Sequence, residues 1–433
     1  THVAGPNISK LLSRDEAKLD MLITVKQDNT GVELEIDGYK ALLAIGQWSE
    51  WIALSFKMGR NKFTTGNVKF CLSSIAPDLE FYMTPVQISP KDPAFVISSP
   101  DDYVKELAAQ QGDFYTLGMP EDTKALEEKR IDEEAFIAMC DEIVDEQEKM
   151  MWFEMDRFEE GLLASTFFST DRIQHMFWET KDRDHPLYSE EYERKYGHVI
   201  DDYYKKMDRI LGDVMQKVDD QTALLVFSDH GFSTFRRTVH INTWLVQQGY
   251  MQLTQKVEAG DSEGGTLFQY VDWKNTQAYA VGFGSIYLNI KGREKTGIVE
   301  PGAAADALAD KIVREMNQMK DPANGVVAIK KVYKNSDIYS GNLISESPDL
   351  VVGFEDGYRA SWQTAIGGAP YELMEDNLKK WSGDHIVDPS VVPGILLSNH
   401  KIKIDDPGLM DIAPTVLSCF GMQDESMQGR VLI

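Results

Sequence analysis

The sequence predicts an α/β protein, a mostly parallel central sheet flanked by helices, carrying a β-rich insertion. Three observations lead there. Ala223–Phe227 is continuously apolar, the pattern of a strand buried on both faces, and it follows an amphipathic helix pattern over Asp201–Val218. Strand and helix patterns then recur toward the C-terminus, the alternation expected when crossover helices connect parallel strands. The N-terminal region instead alternates with period two and does not read as a strand–helix–strand unit.

That region, residues 1–100, is the β-rich insertion. Its clearest strand is Val32-Glu33-Leu34-Glu35-Ile36, whose alternation argues a half-exposed antiparallel strand, followed by Asp37-Gly38 as a turn signal. Residues 101–250 form the first part of the core. Within it, Glu121–Met150 is charged and helix-forming, with Phe136, Met139, Cys140, Ile143 and Val144 as an apolar stripe at helical spacing. Leu162–Phe168 is a short apolar run, and the helix Asp201–Val218 would present Tyr204, Met207, Leu211, Val214 and Val218 on one face. Residues 251–345 read as a cap or sheet extension. They hold strand candidates within Tyr279–Ile290 and a helix, Ala303–Met319, that ends before Asp321-Pro322. Residues 346–433 return to the core rhythm with strands at Asp349–Val352 and Gly394–Leu397. A final helix opens on Asp411-Ile412-Ala413-Pro414 and closes at Gly421, each residue where a helix end prefers it.

Composition narrows the function. The chain has 433 residues, 70 Asp plus Glu against 44 Lys plus Arg, and a net charge of −26. Such a surface repels a polyphosphate backbone, which excludes nucleic acid as an extended partner; a small anionic substrate would need cations held locally. The 42% hydrophobic content excludes a wholly disordered chain, and no apolar run is long enough to span a membrane. Three isolated cysteines, Cys71, Cys140 and Cys419, encode neither a disulfide framework nor a cysteine zinc site, and point to a reducing, cytoplasmic compartment.

Three short motifs carry candidate chemistry. In Ser169-Thr170-Asp171-Arg172-Ile173-Gln174-His175 a helical turn would put Asp171 and His175 on one face, offering a carboxylate and an imidazole to one divalent cation. Helix capping by Asp171 is the plainer alternative. Ser228-Asp229-His230-Gly231-Phe232 stands where the apolar strand ends, the place where ligands gather in open α/β sheets. Gly383-Asp384-His385 precedes the strand at Gly394–Leu397. A mixture of carboxylate and imidazole suits zinc first and manganese second, ahead of magnesium or calcium.

In this order and at these separations, the three motifs resemble the alkaline phosphatase superfamily, and within it the type I phosphodiesterase and nucleotide pyrophosphatase-like phosphohydrolases. Phe235-Arg236-Arg237 and Pro348-Asp349-Leu350-Val351-Val352-Gly353 extend the resemblance, which covers roughly Asp101 to the end. The resemblance implies an alkaline phosphatase-like fold and a hydrolase of small phosphoesters that uses two divalent metals. Asp171, His175 and His385 would hold one metal, Asp229 and His230 the other. It further implies a Thr or Ser nucleophile and one more metal-ligating Asp, both ahead of Asp171, with no catalytic residue assigned. Asp37 and Thr64-Thr65-Gly66 stand in the right order for these roles, but Val32–Ile36 alternates with glutamates, so Asp37 is expected to be a hairpin-turn residue. Since the chain opens at Thr1 without a methionine, the first core strand, its helix and the nucleophile are expected upstream.

Asp384 and Ser228 would support their neighbouring ligands, while Arg236 and Arg237 offer either a bidentate fork to a phosphate or a solvated turn. Two other readings stand beside the hydrolase: a phosphomutase of the same superfamily, and an acidic metal-binding protein without catalysis. The Cys/Ser-x-Pro-x-Arg motif of a sulfatase does not occur in these residues.

Overall fold

The computed structural model describes residues 2–7, 16–58 and 63–433, and the chain divides into two compact units, Thr1–Met176 and Phe177–Ile433.

In the first unit, β1 (His2–Asn7), β2 (Glu16–Val25), β3 (Gly31–Ile36) and β4 (Tyr39–Ala44) form an antiparallel meander. The alternation read in the sequence is the reason: Val32, Leu34 and Ile36 are buried, and Glu33 and Glu35 take the other face. Asp37 and Gly38, with φ of 48° and 79°, close the β3–β4 hairpin in the left-handed geometry such a turn needs. Asp37 is thus a turn residue, as its sequence context indicates, and its carboxylate accepts the backbone N–H of Ser55 at 2.8 Å. Next come β5 (Ile52–Lys57), β6 (Phe63–Val68), β7 (Phe70–Ser74), β8 (Glu80–Met83) and β9 (Gln87–Ile88), paired as β5-β6-β9 and β7-β8. Thr64 and Thr65 lie inside the antiparallel strand β6 rather than at a helix start.

Helices α1 (Tyr103–Gln111), α2 (Thr123–Glu127), α3 (Glu133–Met155) and α4 (Ser169–Phe177) follow. Asp132 caps α3 by accepting the Ala135 N–H at 2.8 Å, and Phe136, Met139, Cys140, Ile143 and Val144 are all buried, the stripe that their spacing predicts. Leu162–Phe168 forms neither strand nor helix, and Leu162 and Phe168 are exposed.

The second unit contains α5 (Glu190–Tyr196), α6 (Val199–Met215), β10 (Leu225–Phe227), β11 (Ser233–Val239), α7 (Ile241–Gln247), β12 (Ala278–Val281), β13 (Ser285–Leu288), α8 (Ala303–Met316), β14 (Ile329–Lys334) and α9 (Asn335–Ile338). It continues with β15 (Leu350–Phe354), β16 (Gly357–Ala360), α10 (Trp362–Ala365), β17 (Met374–Asp376), β18 (Gly383–Asp384), β19 (Leu396–Ser398) and α11 (Ile412–Cys419). The antiparallel sheet β12-β13-β15-β14 packs Ile286, Leu288, Leu350 and Phe354 into one core cluster with Ile312 and Met316 of α8.

The predicted α/β class is met in part: sheets and helices are mixed, but the described residues show no clear central parallel sheet, and among their strand pairs only β11–β16 is parallel. The stretch expected to be a doubly buried strand contributes only β10, which pairs antiparallel with β19, and Phe227 is exposed. An apolar run reports what a strand could bury; the neighbours that would cover both faces are set elsewhere in the chain. In α6 the buried face is Val199, Ile200, Tyr203 and Ile210, with Tyr204 exposed, one position off the predicted stripe. At α11, Asp411 makes no side-chain cap of that helix. Its carboxylate accepts the backbone N–H groups of Gly408 and Arg430 instead.

Two buried charges give stability predictions. Glu146 of α3 accepts from Trp51 Nε1 at 3.4 Å and from the Tyr115 backbone N–H at 3.1 Å. Burial pushes its carboxyl up to about 7, against the opposing pull of the Tyr115 N–H. Below pH 4.5 folded and unfolded chains both hold this proton; between there and about 7 only the folded chain does, so stability falls as pH rises through that window. Glu146→Gln is expected to remove this slope, worth at most about 3 kcal/mol, seen as the wild-type minus variant difference in urea unfolding between pH 4 and 8. Arg237 of β11 binds fully buried Asp321 through two hydrogen bonds of 2.8 and 2.9 Å. Arg237→Met leaves that carboxylate uncompensated and is expected to cost about 3–5 kcal/mol in denaturant unfolding, with Arg237→Met/Asp321→Asn costing less.

Candidate functional site

In the first unit, α4 is pinned at its start. Ser169 is fully buried and donates its hydroxyl to Glu121 Oε1 at 2.7 Å. Ile173 and Met176 fill the apolar side of the helix, both fully buried, which leaves the i, i+4 pair Asp171 and His175 together on another face. Asp171 Oδ1 lies 3.4 Å from His175 Nε2, while Oδ2 accepts from Arg172 Nη1 at 2.6 Å. His175 is almost wholly buried and Asp171 is about a quarter exposed. This is a candidate Asp/His metal-ligating pair.

In the second unit, the pairing of β11 with β18 brings two distant motifs alongside one another. Ser233 faces Asp384 and Thr234 faces Gly383 in register, so Asp229-His230-Gly231 before β11 and His385 after β18 meet. The His230 and His385 rings stack with centroids 3.6 Å apart and planes inclined by 14°. Asp229 Oδ2 lies 3.5 Å from His230 Nε2, with the Asp229 side chain largely exposed. His230 Nδ1 bonds the Gly231 carbonyl at 2.9 Å. A carbonyl has no proton to give, so Nδ1 is the donor in this bond. Gly231 is required here for close approach: a Cβ would sit 2.5 Å from the Pro393 carbonyl oxygen.

The neighbouring residues make the turn rigid. Asp384, almost fully buried, accepts the backbone N–H groups of His385 and Ile386 at 2.8 and 3.0 Å and Trp381 Nε1 at 2.8 Å. It therefore holds the backbone at His385 and Ile386. Ser228 takes a different task, accepting the Ile395 N–H at 2.9 Å and so tying β10 to the segment before β19.

Arg236 and Arg237 are neither phosphate-facing forks nor a solvated turn. Both lie on β11 and are committed to carboxylates. Arg236 donates two hydrogen bonds to Asp182 at 2.5 and 2.7 Å, and Arg237 binds Asp321 and Asp376. Asp182 also accepts from Thr234 Oγ1; although burial opposes ionisation, the Arg236 guanidinium holds its carboxyl below the usual range. His185 and His240 are buried as well: His185 bonds the Phe235 carbonyl and the Leu187 N–H, and His240 faces Glu375 at 3.4 Å. Sequence reading had no signal for Asp182, Glu121 or Asp321, because their partners lie tens of residues away.

A polar cavity of about 410 Å³ opens beside this cluster, lined by Trp178, Lys181, Phe232, Arg236 and Asp356 among others. Phe232 joins the two, its ring centroid 5.6 Å from His385 on one side and 5.5 Å from Trp178 on the other. The volume is within the range that takes a small molecule.

No curated protein and no solved structure matches the chain. A family model does, the type I phosphodiesterase / nucleotide pyrophosphatase model, over residues 93–371. The match includes Asp171, His175, Asp229 and His230, while His385 lies beyond it. The match covers more than half of the chain, which therefore belongs to the type I phosphodiesterase / nucleotide pyrophosphatase family, within the alkaline phosphatase superfamily.

Proposed function

We propose that this protein is a divalent-metal-dependent hydrolase of small phosphoesters, with Asp171, His175 and His385 holding one ion and Asp229 and His230 helping to hold a second. The observation that carries the reading is the spacing within the two Asp/His pairs, 3.4 Å for Asp171 and His175 and 3.5 Å for Asp229 and His230. Two ligand atoms at tetrahedral angles, each ~2.0–2.1 Å from zinc, are ~3.4 Å apart, so each pair fits two donors of one cation. Family membership supports phosphoester hydrolysis in general terms, and the family acts on small phosphorylated substrates. Zinc suits this donor set best, with manganese second.

When bound, the ions would offset charge on the phosphoryl oxygens and lower the pKa of an attacking hydroxyl. The chain's own residues do the rest. Arg172 holds one oxygen of Asp171, which leaves the other turned toward His175. The Gly231 carbonyl fixes the His230 tautomer, and Asp384 orients the backbone that carries His385. The cavity beside Phe232 receives the ester's leaving group, with Trp178 and Phe232 as apolar walls and Lys181 and Arg236 as cations. Lys181 and Arg236 are each held by an aspartate, so this subsite recognises shape and hydrogen bonding more than net charge. We assign no nucleophile.

The test is turnover of bis-p-nitrophenyl and mono-p-nitrophenyl phosphate by the full gene product loaded with Zn²⁺ or Mn²⁺. Hydrolysis of at least one ester is expected, lost on chelation and restored by metal. If neither ester turns over and elemental analysis finds no bound metal, the hydrolase reading fails. Asp229→Asn and His175→Ala are each expected to lower metal content and to reduce turnover by ~100-fold or more.

A further inference from the structure

Asp384 has a partner that its motif does not reveal. Its Oδ2 lies 2.7 Å from Nε of Arg359, and both side chains are 1% exposed. The guanidinium is surrounded by ring faces, with Phe235, Phe283 and Trp362 centroids at 5.0, 4.5 and 4.4 Å. Arg359 Nη1 has no hydrogen-bond partner among the described residues. A buried cation retained without satisfying its donors is there for its charge and its packing, set against one carboxylate and three aromatic quadrupoles.

We propose that Arg359 is a positioning residue for the metal site. Its charge neutralises Asp384, so that this carboxylate does not compete for an incoming cation. The Asp384 oxygens stay on Trp381 Nε1 and on the backbone N–H groups of His385 and Ile386. That holds the turn which stacks the His385 imidazole against His230. The inference rests on the reading of His385 as a metal ligand.

Removing either charge alone would strand the other in the interior, so the informative variant is the double one, Arg359→Met/Asp384→Asn. Zn²⁺ affinity of the full chain is measured by competition with a chromophoric chelator, with circular dichroism reporting the fold. The double variant is expected to fold and to bind Zn²⁺ ~10–100-fold more weakly, the range typical of losing a partner that orients a ligand. Arg359→Lys, which keeps the charge without the planar packing, is expected to fall between it and wild type. A double variant that folds with wild-type affinity, while His385→Ala loses affinity, overturns the inference alone. If His385→Ala keeps full affinity, the ligand reading falls and takes this inference with it. Should the double variant not fold, Arg359→Gln, which keeps a polar side chain of similar length but removes the charge, decides: unchanged affinity there overturns the inference.

Discussion

A charge taken out of water must bring its partner with it, and the second unit is organised by that constraint. Arg359 meets Asp384, Arg237 meets Asp321, Arg236 meets Asp182 and Arg293 meets Asp349, with the closest approach in each pair at 2.8 Å or less. Each pair joins segments far apart in sequence. Arg236 and Arg237 are consecutive on β11 and anchor it to two different segments of the chain, through Asp182 and Asp321. The strand held in this way pairs with β16, β17 and β18, and its pairing with β18 places His385 beside His230. The placing of the histidine pair therefore depends on these ion pairs.

The same constraint resolves the conflict between a net charge of −26 and an anionic substrate. Several of the acidic residues are bound internally to arginine or to backbone N–H groups, as Asp384 and Asp411 are. Others face solvent, as Asp229 largely does. In the proposed function, a carboxylate next to an imidazole, at the spacing of two ligands to one cation, would use negative charge to gather positive charge. Acidity over the whole surface would then be compatible with affinity for a phosphoester at one point.

Short-range patterns were the legible part of the sequence. Alternation revealed β3, the apolar stripe revealed α3, and the helix read over Ala303–Met319, ahead of Asp321-Pro322, lies close to the observed bounds of α8. The Asp/His motifs were visible for the same reason: their spacing is i, i+4 on a helix, or adjacent residues at a strand end, and needs no knowledge of the fold. The reading lost accuracy wherever a residue's fate depended on a distant neighbour. Ala223–Phe227 looked like a buried strand because apolar continuity was taken as burial, whereas among the described residues β10 has only β19 as a strand partner. Arg236 and Arg237 read as a fork to phosphate or a solvated turn because Asp182, Asp321 and Asp376 lie up to 139 residues away in the chain.

Local chemistry along the chain was therefore enough to settle the family motifs, the hairpin at Asp37-Gly38 and the donor types available to a metal, since all of these are properties of neighbouring residues. Folding in three dimensions settled the rest: the largely antiparallel pairing of the described strands, the stacking of His230 on His385, and the burial of Arg359 behind Asp384. These depend on which distant groups share an interior, and interior electrostatics and packing act through space, with no trace in the spacing of residues along the chain.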